Sequence, residues 1–378
     1  MEIMVSSAFG LEAVVKREMI KLGLENPKAI DGKVRAVGTM EDVMRLNVCL
    51  RSGDRVLIKL AEFRAVTFEE LFQNVKQIPF ENYIKSDAKI LMDGNSVKSI
   101  LGAIKVSGGV IKKSIVDRLS GYYKCELKED GERVIVVFNI VNDIVTISLD
   151  TSGDGLHKRG YRVMNYTAPL KETLAAGLIQ LSVYNKEKPF ADIFCGSGTI
   201  PIEACLYALN IAPNKHRTFD FMHFVGYDEN LFKKVVQEAE SKEVKDFMPK
   251  IYACDINPEA IKLAKLHAKL MGVDKYITFE LKDMREFKSD EEFGVIISNP
   301  PYGDRIGDKA TIGELYADFG KVFKKLPNWN CYCLTDNMAT EKHFGRSADK
   351  TRKLYNANIE CKYYSFMSKS KPAKDITI

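Results

Sequence analysis

The second half of the chain alternates short apolar strands with helical patterns, and this alternation restricts its possible folds more than any other feature. From Ala168 onward the pattern predicts parallel strands joined by crossover helices. The predicted strands are 190–194, 250–254, 277–280, 294–298 and 330–334. A final antiparallel pair is expected within 357–367. We therefore predict an α/β fold with a doubly wound, Rossmann-like, seven-stranded sheet for this half.

The first half follows a different pattern. It predicts two successive α+β units, the first ending near Phe63 and the second covering residues 66–150. The expected strands are 3–7, 34–37, 55–60, 89–92, 133–138 and 144–149, with helices over 10–19, 40–50, 67–78 and 101–119. The last two strands flank Asn142-Asp143, which predicts a hairpin. A loop dense in glycine and charge, residues 150–162, marks a domain boundary.

Composition excludes several protein classes. At about 150 residues per domain, 378 residues indicate two or three domains. The net charge of +5 permits nucleic-acid binding without arguing for it. There is no run of 18 apolar residues, and Glu12 precedes any long apolar stretch, which argues against a membrane span and a secretory signal. Eight cysteines without a CxxC pair and five scattered histidines predict a cytoplasmic protein without a metal site.

A glycine-rich loop follows the first strand of the alternating half. Residues 192–199 read Asp-Ile-Phe-Cys-Gly-Ser-Gly-Thr, and glycines at this point let a ligand approach the backbone. No Gly-Lys-Ser/Thr follows, which excludes a P-loop. The dinucleotide fingerprint requires a third glycine at position 201, where this chain has Pro201. The remaining ligands are those without a pyrophosphate.

Three carboxylates follow successive strands. Asp192 is placed for an ammonium group, Asp255 for two ribose hydroxyls and Asp283 for an adenine amino group. Each could instead cap a helix, since Asp is a common N-cap. Their occurrence in order favours a zwitterionic, sulfonium-bearing nucleoside as the ligand.

The fourth strand of this half runs into Asn299-Pro300-Pro301-Tyr302. The Asn299 side-chain oxygen and the Pro300 carbonyl can accept hydrogen bonds from the two N–H groups of a nucleobase amine. Tyr302 can stack on the base, a contact that stabilises binding by about 1–3 kcal/mol. Because a paired base could not reach this loop, the target must be unpaired or flipped out. The alternative is a turn that only closes a strand–helix loop.

Nucleophilic catalysis by cysteine is the competing chemistry. The candidates lie in the glycine loop or in predicted strands, where free cysteine usually packs as a small apolar residue. These candidates are Cys195, Cys254, Cys331 and Cys333.

Together these segments resemble the THUMP-domain class I methyltransferases that use S-adenosylmethionine and modify RNA, and most of all the bacterial enzymes that methylate guanine N2 in 23S ribosomal RNA. The matching segments are 152–162, 168–176, 192–199, 217–221 and 299–303. Segment 217–221 matches an insertion of that family. This chain departs from the family pattern at Met222 and Phe224, where Glu and Trp are usual.

The resemblance implies three domains: a ferredoxin-like subdomain over 1–65, a THUMP RNA-binding domain over 66–153 and a methyltransferase domain over 154–378. It implies S-adenosylmethionine as the cofactor. The implied cofactor-binding residues are Asp192, Phe194, Gly196, Ser197, Gly198, Thr199, Asp255, Ile256, Asp283 and Met284. The implied catalytic residues, which hold the target amine, are Asn299, Pro300 and Tyr302.

The implied partner is RNA, either 23S ribosomal RNA or a ribosome assembly intermediate. Candidate phosphate contacts are Lys105, Lys112, Lys113, Arg118, His157, Lys158, Arg159 and Arg162. Three functions stay open at this point: methylation of guanine N2 in ribosomal RNA, methylation of tRNA guanine or adenine N6, and a vestigial enzyme that acts as an RNA-binding assembly factor.

Overall fold

The computed structural model describes residues 1–30, 32–162, 170–301 and 309–368. They form two compact units, each built from separate stretches of chain. The first unit comprises Met1–Ser7, Val15–Leu156 and Asn214–Glu238, and the second comprises Ala8–Val14, His157–Pro213 and Ala239–Ile378. This division is coarser than the three predicted domains, so the boundaries 1–65, 66–153 and 154–378 stay predictions.

The first unit contains a seven-stranded sheet in the order β2-β3-β1-β4-β7-β6-β5. Its strands are β1 (Glu2–Ser7), β2 (Lys28–Ile30), β3 (Lys33–Val37), β4 (Gly53–Arg64), β5 (Lys89–Val97), β6 (Arg133–Val141) and β7 (Ile144–Asp150). Strand β4 is twelve residues long and pairs with both β1 and β7. The two α+β patterns of the sequence therefore share one continuous sheet.

Asn142 and Asp143 form the two-residue turn between β6 and β7. Both have positive φ, +51° and +63°, as a type I′ turn requires. Val141 pairs with Ile144 directly across the turn. The predicted hairpin is confirmed.

Ten α-helices are present in the described residues. They are α1 (Glu12–Lys21), α2 (Met40–Cys49), α3 (Phe68–Lys76), α4 (Ile104–Tyr123), α5 (Glu172–Leu181), α6 (Thr199–Ala208), α7 (Glu229–Ser241), α8 (Pro258–Leu270), α9 (Lys309–Lys324) and α10 (Thr340–Phe344). Capping boxes start α2 and α3, at Thr39 and Thr67. None of these helices is long and apolar enough to cross a membrane.

Residues Asn214–Glu238 belong to the first unit although they interrupt the alternating half of the sequence. The Asn214 side-chain amide donates to the Asn47 carbonyl at 3.1 Å. The Phe221 backbone N–H donates to the Thr151 carbonyl at 3.2 Å. These contacts depend on residues far away in sequence, so no local pattern predicts them.

The second unit contains the predicted doubly wound sheet, with the order β10-β9-β8-β11-β12-β14-β13. Its strands are β8 (Phe190–Asp192), β9 (Ile251–Asp255), β10 (Ile277–Leu281), β11 (Gly294–Ser298), β12 (Trp329–Thr335), β13 (Lys350–Asn356) and β14 (Ile359–Phe366). The first five are parallel, and β14 pairs antiparallel with both β12 and β13. The seven-stranded prediction is confirmed.

The final antiparallel pair begins earlier than predicted. The expected range was 357–367, whereas β13 occupies Lys350–Asn356. The strand lies at the sheet edge and carries Arg352 and Lys353 among its exposed residues. Charges of this kind protect an edge strand from further pairing, and they hide the apolar alternation that would reveal it.

Both faces of the second sheet are covered, which explains the continuous apolar run of β11. Val295 and Ile297 belong to one buried apolar cluster and Ile296 to another. Successive side chains of a strand point to opposite faces, so the three residues Val295, Ile296 and Ile297 are all apolar.

The chain reverses its direction of growth at β8. It proceeds from β8 to β9 and β10 on one side, and then returns to place β11 on the other side of β8. Ala191 of β8 pairs with Tyr252 of β9 and with Ile296 of β11. In open α/β sheets, ligands bind at the carboxyl ends of the strands at such a switch point.

The second unit contains an ion pair that is fully buried. The Arg159 Nε lies 3.2 Å from Glu203 Oε1, and its Nη2 lies 3.3 Å from Oε2, with both side chains wholly inaccessible. We expect Glu203→Ala to lower the free energy of unfolding by about 3–5 kcal/mol, because it leaves a buried guanidinium without its carboxylate. Urea denaturation measures this change.

The control is the double variant Arg159→Met with Glu203→Leu, which replaces both charges by apolar groups. We expect it to recover most of the lost stability. A free energy of unfolding for Glu203→Ala within about 1 kcal/mol of the wild type would contradict this assignment.

Candidate active site

The candidate site lies at the carboxyl ends of β8, β9 and β11 in the second unit. The loop 193–198 leads from β8 into α6. Asp255 ends β9, and Asn299 directly follows β11. Parallel pairing brings these three chain segments to one edge of the sheet.

Asp192 is the buried acid of this site. Its Oδ1 accepts hydrogen bonds from Ser298 Oγ at 2.8 Å and from the Phe194 N–H at 3.1 Å. Its Oδ2 has no partner among the described residues. Burial, reinforced by the Asp255 carboxylate, raises the pKa of Asp192 to about 7, and the two hydrogen bonds only partly offset this rise.

The two glycines of the loop serve different purposes. Both have positive φ, +51° at Gly196 and +86° at Gly198. A Cβ on Gly198 would lie 2.9 Å from the Cβ of Ala264, whereas a Cβ on Gly196 would meet no atom within 4 Å. Gly198 is therefore required by packing, and Gly196 faces open space that a ligand can enter.

Asp255 ties the end of β9 to the glycine loop. Its Oδ2 accepts from the Gly196 N–H at 2.8 Å, and its Oδ1 accepts from the Asn257 N–H at 2.9 Å. The N-cap of α8 is Asn257, whose side chain accepts from the Glu259 N–H. Asp255 is thus not the cap of α8. Beside it, Ile256 is 68% exposed and offers an apolar surface to a planar ring.

Asp283 does act as a cap. Its Oδ1 accepts from the Arg285 N–H at 2.9 Å, at the start of a single 3₁₀ turn. Its Oδ2 lies 2.8 Å from Arg285 Nη1. The neighbouring Met284 is buried in the core. The expected contacts of Asp283 and Met284 with a cofactor stay predictions.

Asn299 is the polar residue that follows β11. Its Oδ1 is buried and has no hydrogen-bond partner in the part of the chain that the structure describes. A buried acceptor without a donor costs about 1–3 kcal/mol. A ligand N–H would satisfy it. Pro300 is buried beside it, and the predicted Tyr302 lies outside the described residues.

The candidate phosphate contacts on α4 fall into two groups. Lys105 and Lys113 are exposed, and no ion pair is found for them among the described residues. The other two are engaged within the first unit: Lys112 Nζ lies 2.6 Å from Glu129 Oε2, and Arg118 binds both oxygens of Glu81.

The candidates near residue 160 are also divided. Lys158 is exposed and His157 is half-buried. Arg159 is wholly buried against Glu203, so its guanidinium cannot reach a phosphate from this position, contrary to expectation. Arg162 donates through Nη2 to Thr199 Oγ1 at 2.9 Å and to the Leu170 carbonyl at 3.1 Å. Both arginines therefore support the interior of the second unit.

The site cysteines are unsuited to nucleophilic attack. Cys195 and Cys254 are buried, and burial raises the pKa of the Cys254 thiol to about 12 and that of Cys195 well above its usual value. A thiol that stays protonated is a poor nucleophile. Cys331 and Cys333 are fully buried within β12. The interpretation of these cysteines as packing residues agrees with their burial.

No group of three His, Cys, Asp or Glu side chains that could hold a metal ion occurs among the described residues. The expected lack of a metal stays a prediction.

Sequence reasoning missed two residues that support the site. Ser298, the polar end of an apolar strand, links β11 to Asp192 and also accepts from the Ile193 N–H at 3.1 Å. His267 of α8 is fully buried, and its Nδ1 lies 3.0 Å from the Ser197 carbonyl oxygen. The available signal was a polar residue on the apolar face of a helix, three positions after Ala264.

Three protein families match the chain in succession. Residues 2–57 match an RlmL ferredoxin-like domain, residues 65–150 match a THUMP domain, and residues 159–365 match an RMKL-like methyltransferase domain.

Similar proteins share nearly the whole chain. A Bacillus subtilis protein named "Putative RNA methyltransferase YpsC" is 39% identical over 99% of this chain and 98% of its own length. The ribosomal RNA large subunit methyltransferase K/L of Psychromonas ingrahamii is 32% identical over 98% of this chain, but only 51% of that protein is covered. The chain thus spans about half the length of this K/L relative.

A solved structure shares the fold. The crystal structure of SMU.472 complexed with SAH superposes with a TM-score of 0.93 at 36% sequence identity, over 98% of this chain and 99% of that one.

The raised pKa of Asp192 gives a pH dependence with a defined sign. An unfolded Asp ionises near pH 4, and the folded one near 7, so the protein loses stability from this group as the pH rises between these values. Asn does not titrate. We therefore expect the free energy of unfolding of Asp192→Asn, taken relative to that of the wild type, to increase by about 2 kcal/mol from pH 5 to pH 7.

Urea denaturation of both proteins at pH 5, 6, 7 and 8 measures this difference. Glu172, whose pKa burial also raises to about 7, is present in both proteins and cancels. Stability curves that stay parallel across this range would show that Asp192 does not titrate there.

Proposed function

The chain belongs to the RMKL-like methyltransferase family, and we propose that it methylates the exocyclic N2 amine of a guanine in 23S ribosomal RNA. The chain is a methyltransferase of RNA that uses S-adenosylmethionine. Guanine N2 as the target atom and 23S RNA as the substrate are our proposals.

The observation that carries the proposal is the buried Asn299 Oδ1, which has no partner among the described residues and lies at the end of the strand next to the glycine loop. An acceptor held in this way is suited to the N–H of a neutral amine. Its chain neighbour Ser298 lies 2.8 Å from Asp192, so the amine acceptor and the buried acid share one sheet edge.

The residues present fit S-adenosylmethionine, which supplies a transferable methyl group on a sulfonium when bound. The Asp192 Oδ2, which has no partner in the described part of the chain, would accept a hydrogen bond from the ammonium group. The open space at Gly196 leaves room for the methionine part. Each Asp255 oxygen keeps a lone pair for a ribose hydroxyl, and the exposed Ile256 would contact the adenine.

The target amine needs positioning more than activation. A guanine N2 lone pair is delocalised into the ring, so the amine is a weak nucleophile. The Asn299 Oδ1 and the Pro300 carbonyl would accept hydrogen bonds from its two N–H groups. These bonds would fix the direction in which the nitrogen lone pair points. Proline restricts the backbone that presents these acceptors. The proton can leave after methyl transfer, so the rate gain comes from orientation.

The substrate assignment is supported by the THUMP match over 65–150 and by the names of the K/L relatives. On α4 the exposed Lys105 and Lys113 are the best placed of the predicted phosphate contacts, since neither is occupied by a described carboxylate. Ribosomal RNA as the substrate would place the reaction in the cytoplasm.

Asn299→Ala tests the assigned amine acceptor. We expect methyl transfer to fall by about 100-fold or more, because the nitrogen loses one of its two fixed acceptors. The affinity for SAH, measured by calorimetry, should stay unchanged. Asn299→Asp is the matched control, since it keeps an oxygen at this position and should retain more activity than Ala.

The product identifies the target. Nucleosides of 23S RNA, 16S RNA and tRNA are compared by mass spectrometry in cells with and without the gene, and in cells complemented with Asn299→Ala. We expect cells with the gene to contain a single N2-methylguanosine in 23S RNA. It should be absent from cells without the gene and from cells complemented with Asn299→Ala. Loss of N6-methyladenosine, or of a tRNA modification, would move the target, and no change in any RNA would favour the vestigial assembly factor.

The two glycines should separate stability from binding. We expect Gly196→Ala to cost about 1–2 kcal/mol of unfolding free energy for its left-handed φ. The same variant should also weaken SAH binding by about tenfold or more, because the Cβ of the new alanine enters the space proposed for the ligand. Gly198→Ala should lower stability by about 2–5 kcal/mol through its clash with Ala264. Denaturation and calorimetry on both variants check this; an unchanged SAH affinity in Gly196→Ala would contradict it.

A further inference from the structure

Helix α8 contacts the glycine loop through two residues on one face. A Cβ on Gly198 would lie 2.9 Å from the Cβ of Ala264, so Gly198 has no room for a side chain. One turn later, His267 Nδ1 lies 3.0 Å from the Ser197 carbonyl oxygen. Residues three apart in a helix share a face, so these two contacts act together.

The chemistry of this hydrogen bond is defined. A carbonyl oxygen only accepts, so Nδ1 of His267 carries the proton and donates. The His267 side chain is fully buried, and its Nε2 has no partner within the described ranges. Burial lowers the pKa of His267; the hydrogen bond to Ser197 acts in the opposite direction and the Arg162 charge in the same one. The lowered pKa favours the neutral imidazole, with its proton on Nδ1.

Thr199, which follows the loop as the first residue of α6, is held from another part of the chain. Arg162 Nη2 donates to Thr199 Oγ1 at 2.9 Å, and lies 3.3 Å from Glu172 Oε1. Residues 197, 198 and 199 are thus each fixed by a side chain outside the loop.

Such fixing matters because its two glycines give the loop more conformational freedom than other residues would. Gly196 and Gly198 both adopt positive φ, and glycine loses more backbone entropy on ordering than any other residue. If the loop is ordered before the ligand arrives, binding does not have to supply that ordering free energy. A lost restraint reduces the apparent affinity in proportion to the competent fraction.

We propose that His267 is a positioning residue for the cofactor: by holding the Ser197 carbonyl, it keeps the glycine loop in the conformation that receives S-adenosylmethionine. The inference rests on the proposed function in taking this loop as the cofactor site. His267 acts through Ser197 and takes no part in methyl transfer itself.

His267→Leu and His267→Asn test this role in the full-length protein, with SAH as the ligand and without RNA. Leu removes the donor, and we expect the dissociation constant for SAH to rise about three- to tenfold, the equivalent of one hydrogen bond. Asn keeps an N–H close to the position of Nδ1. It should therefore stay within about twofold of the wild type.

Kinetics distinguish positioning from loss of folded protein. We expect His267→Leu to raise the KM for S-adenosylmethionine while kcat at saturating cofactor stays close to the wild-type value. The matched control is Ile261→Ala, which removes a buried side chain of the same helix that cannot hydrogen-bond the loop. It should lower the melting temperature and leave the SAH affinity unchanged.

Two results would overturn the inference. One is an SAH affinity of His267→Leu equal to that of the wild type. The other is a loss of affinity in Ile261→Ala or His267→Asn as large as that in His267→Leu. A wild-type protein that does not bind SAH would instead refute the cofactor site, and with it the proposed function.

Discussion

The hydrogen bond between Ser298 Oγ and Asp192 Oδ1 joins the carboxyl ends of two neighbouring parallel strands, and the candidate site is arranged around it. It occupies one oxygen of a fully buried carboxylate and leaves the other without a partner in the described chain. It also fixes the start of the segment that presents Asn299. The acid proposed for the cofactor and the acceptor proposed for the target amine are therefore held by one contact, deep in the sheet, where water does not compete.

Much of this site could be predicted from the sequence because its parts are local. The apolar run of β11 predicts a strand buried on both faces, and Gly196 and Gly198 predict a loop whose backbone a ligand can approach. The order of strand, glycine loop and helix then places Asp192 and Asn299 at one edge of a parallel sheet. Each of these features is determined within about ten residues of chain, and the known handedness of crossover connections supplies the rest.

The remainder depends on contacts that no local pattern contains. Arg159 is a predicted phosphate contact because it lies in a charged loop, yet tertiary folding pairs it with the buried Glu203. Arg162 of the same loop donates to the hydroxyl of Thr199, another contact that no local pattern contains. In the sequence, His267 is one of five scattered histidines. Its contact with the glycine loop forms only because the fold packs α8 against that loop. Likewise, Asn214–Glu238 belongs to the first unit because of hydrogen bonds to residues more than 60 positions away.

The most direct measurement is a crystal structure of the protein with SAH and guanosine monophosphate bound together. We expect the guanine N2 to lie about 2.7–3.2 Å from Asn299 Oδ1. The same nitrogen should face the SAH sulfur, with room for one methyl group between them. In the reactive complex with S-adenosylmethionine, the nitrogen and the methyl carbon would then lie about 3–3.5 Å apart. A guanine bound elsewhere, or an Asn299 Oδ1 paired with another protein group while both ligands are present, would contradict it.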